Sequence, residues 1–309
     1  MNSQGQMDTG DEVMPQWCQW AFSHQGRSGF VEGDAGKLHY LEWCDSSVGE
    51  PEKPPLLLIH GFRAHARWWD MVAPYLMEHY RVIALDLSGM GDSAHRDEYS
   101  PHCHADDIIR LIEALDLGTV TAVGHSFGGG RLLQACARRP ELFRKAVVVD
   151  THQLFDDMII PPDPVGHTKP RFYPGLDVAM GRFRLSPEQP EALDFLVEHI
   201  ARHSLRAIDD GWTWKFDPDM QSGIFAVADA DRLLPTVLTP VDVIYGSRSL
   251  VVPDELGRRV YASLGNPGKR ICIPGGHHHL MLDQPIALIS VLQTLLQPIP
   301  SQNNSGEDN

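Results

Sequence analysis

The sequence predicts an α/β fold: a mostly parallel, twisted sheet with helices on both faces. Three observations lead there. Six short apolar runs rich in β-branched residues are continuous rather than alternating, as in strands covered on both faces. The segments between them place apolar residues at helical spacing, so strand and helix alternate along the chain. The alternation then breaks once, over roughly 80 residues, which is too long for a structureless loop and reads as an insertion. The 309 residues suit one large domain carrying such an insertion.

The strands are expected at Leu56–Ile59, after two prolines, then at Arg81–Leu85, Val120–Val123, Ala146–Val149, Val241–Tyr245 and Arg270–Ile273. Ile108, Leu111, Ile112 and Leu115 recur as on one helix face, and so do Leu288, Val291, Leu292 and Leu295. The break begins Pro-rich (Pro161, Pro162, Pro164, Pro170, Pro174). It then holds one amphipathic helix with Leu193, Leu196, Val197, Ile200 and Ala201 on one face, and no convincing strand. The expected layout is a core of residues 28–150 and 235–297, with a helical insertion at 151–234 between two strands of the sheet. Residues 1–27 and 298–309 are polar and bury little, so both ends are expected to be mostly disordered.

Composition excludes several classes. The formal net charge is −15, which repels phosphate backbones and anionic membrane surfaces, so neither a nucleic-acid nor a membrane partner is expected. No apolar run approaches the ~20 residues that span a bilayer. Met1 to Asp11 lacks the basic flank and apolar stretch of a signal peptide. Five cysteines, an odd count without a CxxC pair, read as reduced thiols, and the expected location is cytoplasmic.

The sharpest local signal is Gly124-His125-Ser126-Phe127-Gly128, directly after an expected strand and before a helix-period segment. Strand, tight turn and helix is the context in which G-x-S-x-G presents a nucleophilic serine at the apex. The flanking glycines let the chain turn without side-chain clash. Ser126 is therefore the candidate nucleophile; the alternative is a glycine-rich turn beneath a helix. A serine hydroxyl needs a base, and Gly275-Gly276-His277-His278-His279 follows the last strand, on the sheet edge that carries the serine turn. Adjacent histidines point in different directions and lack the His-x-x-x-His spacing of metal pairs, so no metal is expected. No phosphate-cradling loop is present, and no cofactor is expected.

Taken in order, Leu56-Leu57-Leu58-Ile59-His60-Gly61-Phe62, Asp86-Leu87-Ser88-Gly89-Met90-Gly91-Asp92-Ser93, Gly124-His125-Ser126-Phe127-Gly128-Gly129 and Gly276-His277-His278 resemble the α/β-hydrolase superfamily. The resemblance is to the branch with a helical cap after strand six, and it covers roughly residues 28–297. It implies a Ser…acid…His triad in that chain order. It also implies an oxyanion hole made by the backbone N–H groups of Phe62 and Phe127. The family's usual acid lies in a segment like Gly-x-x-Asp-x-x-Val-Pro. Here that segment is Gly246-Ser247-Arg248-Ser249-Leu250-Val251-Val252-Pro253, with Ser249 in the acid's place. Some relatives carry the acid at the end of strand six, which points to Asp150, with Asp254 the runner-up. The family's histidine commonly stands seven residues before the proline that opens the last helix. That count from Pro285 selects His278, with His277 next and His279 as a pocket or cap contact.

The serine at the apex excludes the relatives that use a carboxylate nucleophile. The resemblance then implies hydrolysis of a small-molecule carboxylic ester through an acyl-enzyme. The alternatives are hydrolysis of a carbon–carbon bond in a vinylogous diketone, or a ligand-binding protein without catalysis. Trp212 and Trp214, in Gly211-Trp212-Thr213-Trp214-Lys215-Phe216, are candidates to line the substrate pocket or else to glue cap to core. Trp68 and Trp69 face the same choice. Arg63, beside Phe62, could meet an anionic substrate group, but a surface role is the expectation. The sequence sets no oligomeric state.

Overall fold

The six expected strands all form, within a sheet of eight. The computed structural model describes residues 14–44, 52–159, 171–220 and 229–297. Most of the Pro-rich start of the insertion (Pro161, Pro162, Pro164 and Pro170), residues 1–13 and the tail 298–309 lie outside them. In chain order the elements are α1 (Gln16–Ser23), β1 (Arg27–Gly33), β2 (Gly36–Trp43), β3 (Pro55–Ile59), β4 (Arg81–Leu85), α2 (Cys103–Ala114), β5 (Val120–His125), α3 (Phe127–Arg138) and β6 (Phe143–Val149). Then come α4 (Leu176–Met180), α5 (Asp194–His203), β7 (Leu205–Ile208), β8 (Gly211–Trp214), α6 (Ala230–Leu233), β9 (Val241–Gly246), α7 (Asp254–Ser263), β10 (Pro267–Ile273), α8 (Leu280–Asp283) and α9 (Pro285–Leu295).

The main sheet runs β1-β2-β4-β3-β5-β6-β9-β10. All neighbours from β4 to β10 are parallel, while β1–β2 and β2–β4 are antiparallel. Successive residues of the central strands pack into opposite cores. Leu57, Ile59, Ile83, Leu85, Ala146 and Val148 face one apolar cluster. Leu56, Leu58, Val82, Ala84, Val147 and Val149 face the other. That is why these strands read as unbroken apolar runs. β3 connects outward to β4, and the chain then crosses over to β5 on the opposite side of β3. The order reverses there, and the crevice beyond the carboxyl ends of β3 and β5 is where such sheets bind ligands.

Three expectations need correction. Residues 16–23 fall in a segment expected to be disordered, yet they form α1, because Cys18 and Ala21 bury one face against the second cluster and the Trp17 carbonyl accepts the Tyr75 hydroxyl at 2.7 Å. The β1–β2 hairpin was not expected. β1 is an edge strand with no fully buried residue, so it carries no apolar run to find. The insertion between β6 and β9 is not purely helical: β7 and β8 form an antiparallel hairpin, with Leu205 opposite Trp214 and Ala207 opposite Trp212. Four-residue strands, partly buried, lack a detectable period. α5 does form where expected, with Leu196, Ile200 and Ala201 buried. No helix among the described residues is long and apolar enough to cross a membrane.

Candidate active site

Sheet register brings five chain segments to one level. Ile59 pairs with Gly124, His125 with Val149, Val149 with Ile244, and Gly246 with Ile273. The residues that follow these pairs therefore leave the sheet side by side: His60–Phe62, Ser126, Asp150, Ser247–Ser249 and Gly275–His279.

Ser126 sits between β5 and α3 with φ 52° and ψ −122°. A non-glycine residue in that region is strained and persists only where its surroundings hold it. Here its N–H donates to the Val149 carbonyl at 2.9 Å, and its carbonyl accepts from Gly129 at 3.0 Å and Gly130 at 3.2 Å. Among the described residues only Arg63, Asp116, Ser126 and Asp150 combine a side chain with positive φ. Three of these four stand at this crevice.

The turn is packed as tightly as its glycines permit. A Cβ on Gly128 would lie 2.2 Å from the His60 carbonyl oxygen, and one on Gly124 would lie 2.6 Å from the Gly129 Cα. Gly128→Ala is therefore expected to push the Phe62 loop away from α3 and cost about 1–3 kcal/mol, as overpacking does. Urea denaturation reads the loss.

Asp150 follows β6 and is fully buried. Its Oδ1 accepts the His278 Nδ1–H at 2.8 Å and the Ser249 hydroxyl at 2.6 Å, and its Oδ2 accepts the Gly246 N–H at 2.9 Å. Ser249 thus occupies the family's usual acid position and donates to the buried Asp150 carboxylate. The Ser249 oxygen in turn accepts the N–H groups of Val251 at 3.1 Å and Val252 at 3.0 Å, so the hydroxyl is held from both sides. Asp254 takes no part. It lies at the start of α7, bonded to the Tyr245 hydroxyl, Arg258 and Arg270.

The three histidines separate cleanly. His277 Nδ1 lies 2.9 Å from Asp283 Oδ2, away from Asp150. His278 pairs with Asp150. His279 is buried, with its ring 5.1 Å from that of Trp68. A further histidine, which the motif left as the variable position of G-x-S-x-G, also acts here: His125 Nε2 donates to the His278 carbonyl at 2.9 Å. Burial lowers the His125 pKa from 6.5 to about 3, so its ring is neutral and that bond is made at every physiological pH. The signal for it was its place beside the serine; its partner lies 153 residues away and could not be read from sequence.

His104 is likewise buried, with Nε2 3.0 Å from the Ser88 carbonyl and its pKa lowered to about 3 by desolvation. In the unfolded chain both rings titrate near 6.5, so as pH falls the unfolded state binds protons first. Stability contributed by these rings is full above about pH 6.5 and is lost toward pH 3, at about 1.4 kcal/mol per pH unit for each ring inside that window. Tm is expected to drop between about pH 6.5 and 4.5, and His104→Gln is expected to make that drop shallower.

Among the described residues, three groups of side chains bring ligand-type atoms within 4.8 Å of one another: His125, His278 and His279; Asp70, His199 and His203; and His39, Asp86 and Asp92. The second and third groups hold hydrogen bonds of their own, His199 Nε2 to Asp70 Oδ2 at 2.8 Å and His39 Nδ1 to Asp86 Oδ2 at 2.7 Å.

Gly61, Phe62, His125, Ser126, His278 and His279 open onto one cavity of about 770 Å³. The insertion between β6 and β9 contributes much of the rest of its lining. Trp68 and Trp214 line it, whereas Trp69 is fully buried in the core. Trp212, expected beside Trp214, is not among the lining residues. Its N–H and carbonyl instead pair with Tyr173 at 2.8 and 2.9 Å, a backbone bridge within the insertion that short-range spacing could not reveal.

An eight-stranded sheet of this order, with a serine at a strained turn after its fifth strand and a helix-bearing insertion after its sixth, defines an α/β hydrolase. The α/β hydrolase fold family matches residues 54–285, and the chain belongs to it. Its relatives include an esterase of Mycobacterium tuberculosis, 29% identical over 283 residues that cover 85% of this chain and 87% of that one. A serine hydrolase-like protein of Danio rerio is 25% identical over 300 residues, 89% of this chain and 90% of its own. Among solved structures, the thioesterase domain from the curacin biosynthetic pathway superposes with a TM-score of 0.72 at 22% identity, over 86% of this chain and 99% of that domain.

Proposed function

We propose that this hydrolase cleaves a carboxylic ester of a small molecule through a Ser126–His278–Asp150 triad and an acyl-enzyme. The observation that carries the reading is the 2.8 Å bond from His278 Nδ1 to the buried Asp150, made by a histidine that shares its cavity with Ser126. A carboxylate on Nδ1 leaves Nε2 as the basic nitrogen of the ring.

Nε2 of His278 takes the Ser126 proton as Oγ attacks the ester carbonyl carbon. The carbonyl π pair moves onto oxygen, where the N–H groups of Phe62 and Phe127 receive the negative charge. Phe127 opens α3, so the helix dipole adds to that field. When the tetrahedral intermediate collapses, the proton on Nε2 passes to the departing alkoxide. Water then attacks the acyl-serine with the same histidine as base, and the acid and free serine are released. Asp150 keeps the ring's tautomer and stabilises its charged form. The names of the relatives, an esterase and a serine hydrolase-like protein, support acyl transfer to water, and Trp214 supplies an apolar wall for the substrate.

A series of 4-nitrophenyl esters of increasing acyl length tests this, wild type against Ser126→Ala. Chain-length-dependent turnover that requires Ser126 sustains the reading. No turnover of any ester, with hydrolysis of a ring-fission diketone instead, overturns it in favour of carbon–carbon cleavage. Ser249→Ala removes one of three donors to Asp150, and the loss of a hydrogen bond to a charged group of about 1.5–3 kcal/mol predicts a fall in kcat of about tenfold or more. Ser249→Thr, which keeps the hydroxyl, should recover most of it.

A further inference from the structure

The cavity's charge is opposite to that of the protein. The chain carries 41 acidic against 26 basic residues, yet the cavity is lined by five arginines (Arg63, Arg171, Arg182, Arg184, Arg206) and two aspartates (Asp217, Asp219). Asp217 is buried and already engaged, accepting the Tyr99 hydroxyl at 2.7 Å and the Asp219 N–H at 2.9 Å.

Four of these arginines are not accounted for by internal ion pairs. Among the described residues, Arg171, Arg182, Arg184 and Arg206 have no carboxylate within 4.0 Å; Arg184 donates to the carbonyls of Gly181 at 2.9 Å and Phe183 at 2.5 Å. All four are exposed, and all come from the insertion, so they ring the cavity where it opens to water. Arg63 lies deeper, with its guanidinium 4.5 Å from the Phe216 ring centre and 5.3 Å from that of Phe62. Planar guanidinium forks bind carboxylate and phosphate oxygens in pairs. Against the chain's net negative charge, a basic mouth gathers anions at one place. Below it the walls turn apolar, at Phe62, Trp68, Trp214 and Phe216.

We propose that the natural substrate is an amphipathic ester or thioester bearing an anionic oxygen group, a carboxylate or a phosphate, which the arginines of the cavity mouth hold while its apolar acyl portion reaches Ser126. This rests on the hydrolase reading above and adds the charge of the substrate to it. Arg63, expected from sequence to take a surface role, belongs to this set because the fold turns it into the cavity.

The test compares isosteric pairs. One arm sets the 4-nitrophenyl monoester of glutaric acid against 4-nitrophenyl 5-methylhexanoate, which replaces the carboxylate by an isopropyl group. The other sets S-butyryl-phosphopantetheine against S-butyryl-pantetheine. At low salt, kcat/KM for the anion is expected to exceed that for its neutral partner by about tenfold or more in one arm, which tells carboxylate from phosphate. The excess should reside in KM, collapse toward unity in about 1 M sodium chloride, where the screening length is about 3 Å, and collapse likewise in Arg171→Gln/Arg206→Gln. A ratio at or below unity in both arms, or one the double variant leaves intact, overturns the anion site while the hydrolase reading stands. If no ester or thioester is turned over, the hydrolase reading fails, and calorimetric titration of the wild type with glutarate and with phosphopantetheine decides the anion site alone. Binding lost in the double variant sustains it; no binding of either probe sinks it.

Discussion

Replacing Ser126 with alanine is expected to lower ester turnover by about 10⁵–10⁶-fold, the scale on which serine hydrolases lose activity with their nucleophile. The residual rate should be that of a cavity that still binds the ester and still offers two backbone donors. The fold should be unaffected, since the hydrogen bonds that hold the turn come from the backbone of Ser126 and not from its side chain. Alanine keeps the Cβ that makes φ 52° unfavourable, so the variant's Tm should stay close to the wild type. Ser126→Gly makes a sharper contrast. It should be as inactive, and more stable by about 1 kcal/mol, because glycine adopts positive φ without strain. An inactive and stabilised glycine variant would mean that the strain at the turn is maintained for the sake of the hydroxyl. Turnover that survives in both variants would remove Ser126 from the chemistry.

Asp150→Asn is expected to cost about 10⁴ in kcat, with little change in KM. The asparagine fits the same space but has one acceptor oxygen where the carboxylate serves three donors: His278 Nδ1–H, the Ser249 hydroxyl and the Gly246 N–H. If its amide nitrogen faces His278, the ring must turn its other tautomer toward Ser126 and can no longer accept the serine proton. Burial makes the effect large, because neither water nor another carboxylate reaches the position to replace the lost charge. Asp254→Asn should leave kcat near the wild-type value and lower stability slightly through Tyr245, Arg258 and Arg270. The opposite pattern, an active Asp150→Asn beside an inactive Asp254→Asn, would transfer the acid's role to the loop after β9.

The residues of this site differ in how they could be known. Ser126 was legible because strand, turn and helix are contiguous, and a glycine-flanked serine at that junction is a local steric statement. Asp150 and His278 were legible only through the order of motifs along the chain. Their bond spans 128 positions, and sequence spacing alone left Asp254 and His277 open. His277 is set aside by Asp283, six residues on, which captures its ring. The donor role of Ser249 had no sequence signal beyond the absence of the usual aspartate.

By itself the sequence determined the parallel core. Each central strand is buried on both faces, which demands continuous apolar runs, and helices packed on a sheet demand apolar residues at their own period. It also determined the serine turn, where backbone geometry and glycine sterics act over five residues. Only the tertiary structure decided the rest. α1 and the β1–β2 hairpin are held by contacts with distant segments, and the β7–β8 hairpin is too short to show a period. The arginines that ring the cavity lie between positions 63 and 206 and share no spacing, so no local pattern joins them. Electrostatic fields add in space and not along the chain, and the insertion's path over the sheet is what brings four of these five charges to the cavity that holds Ser126.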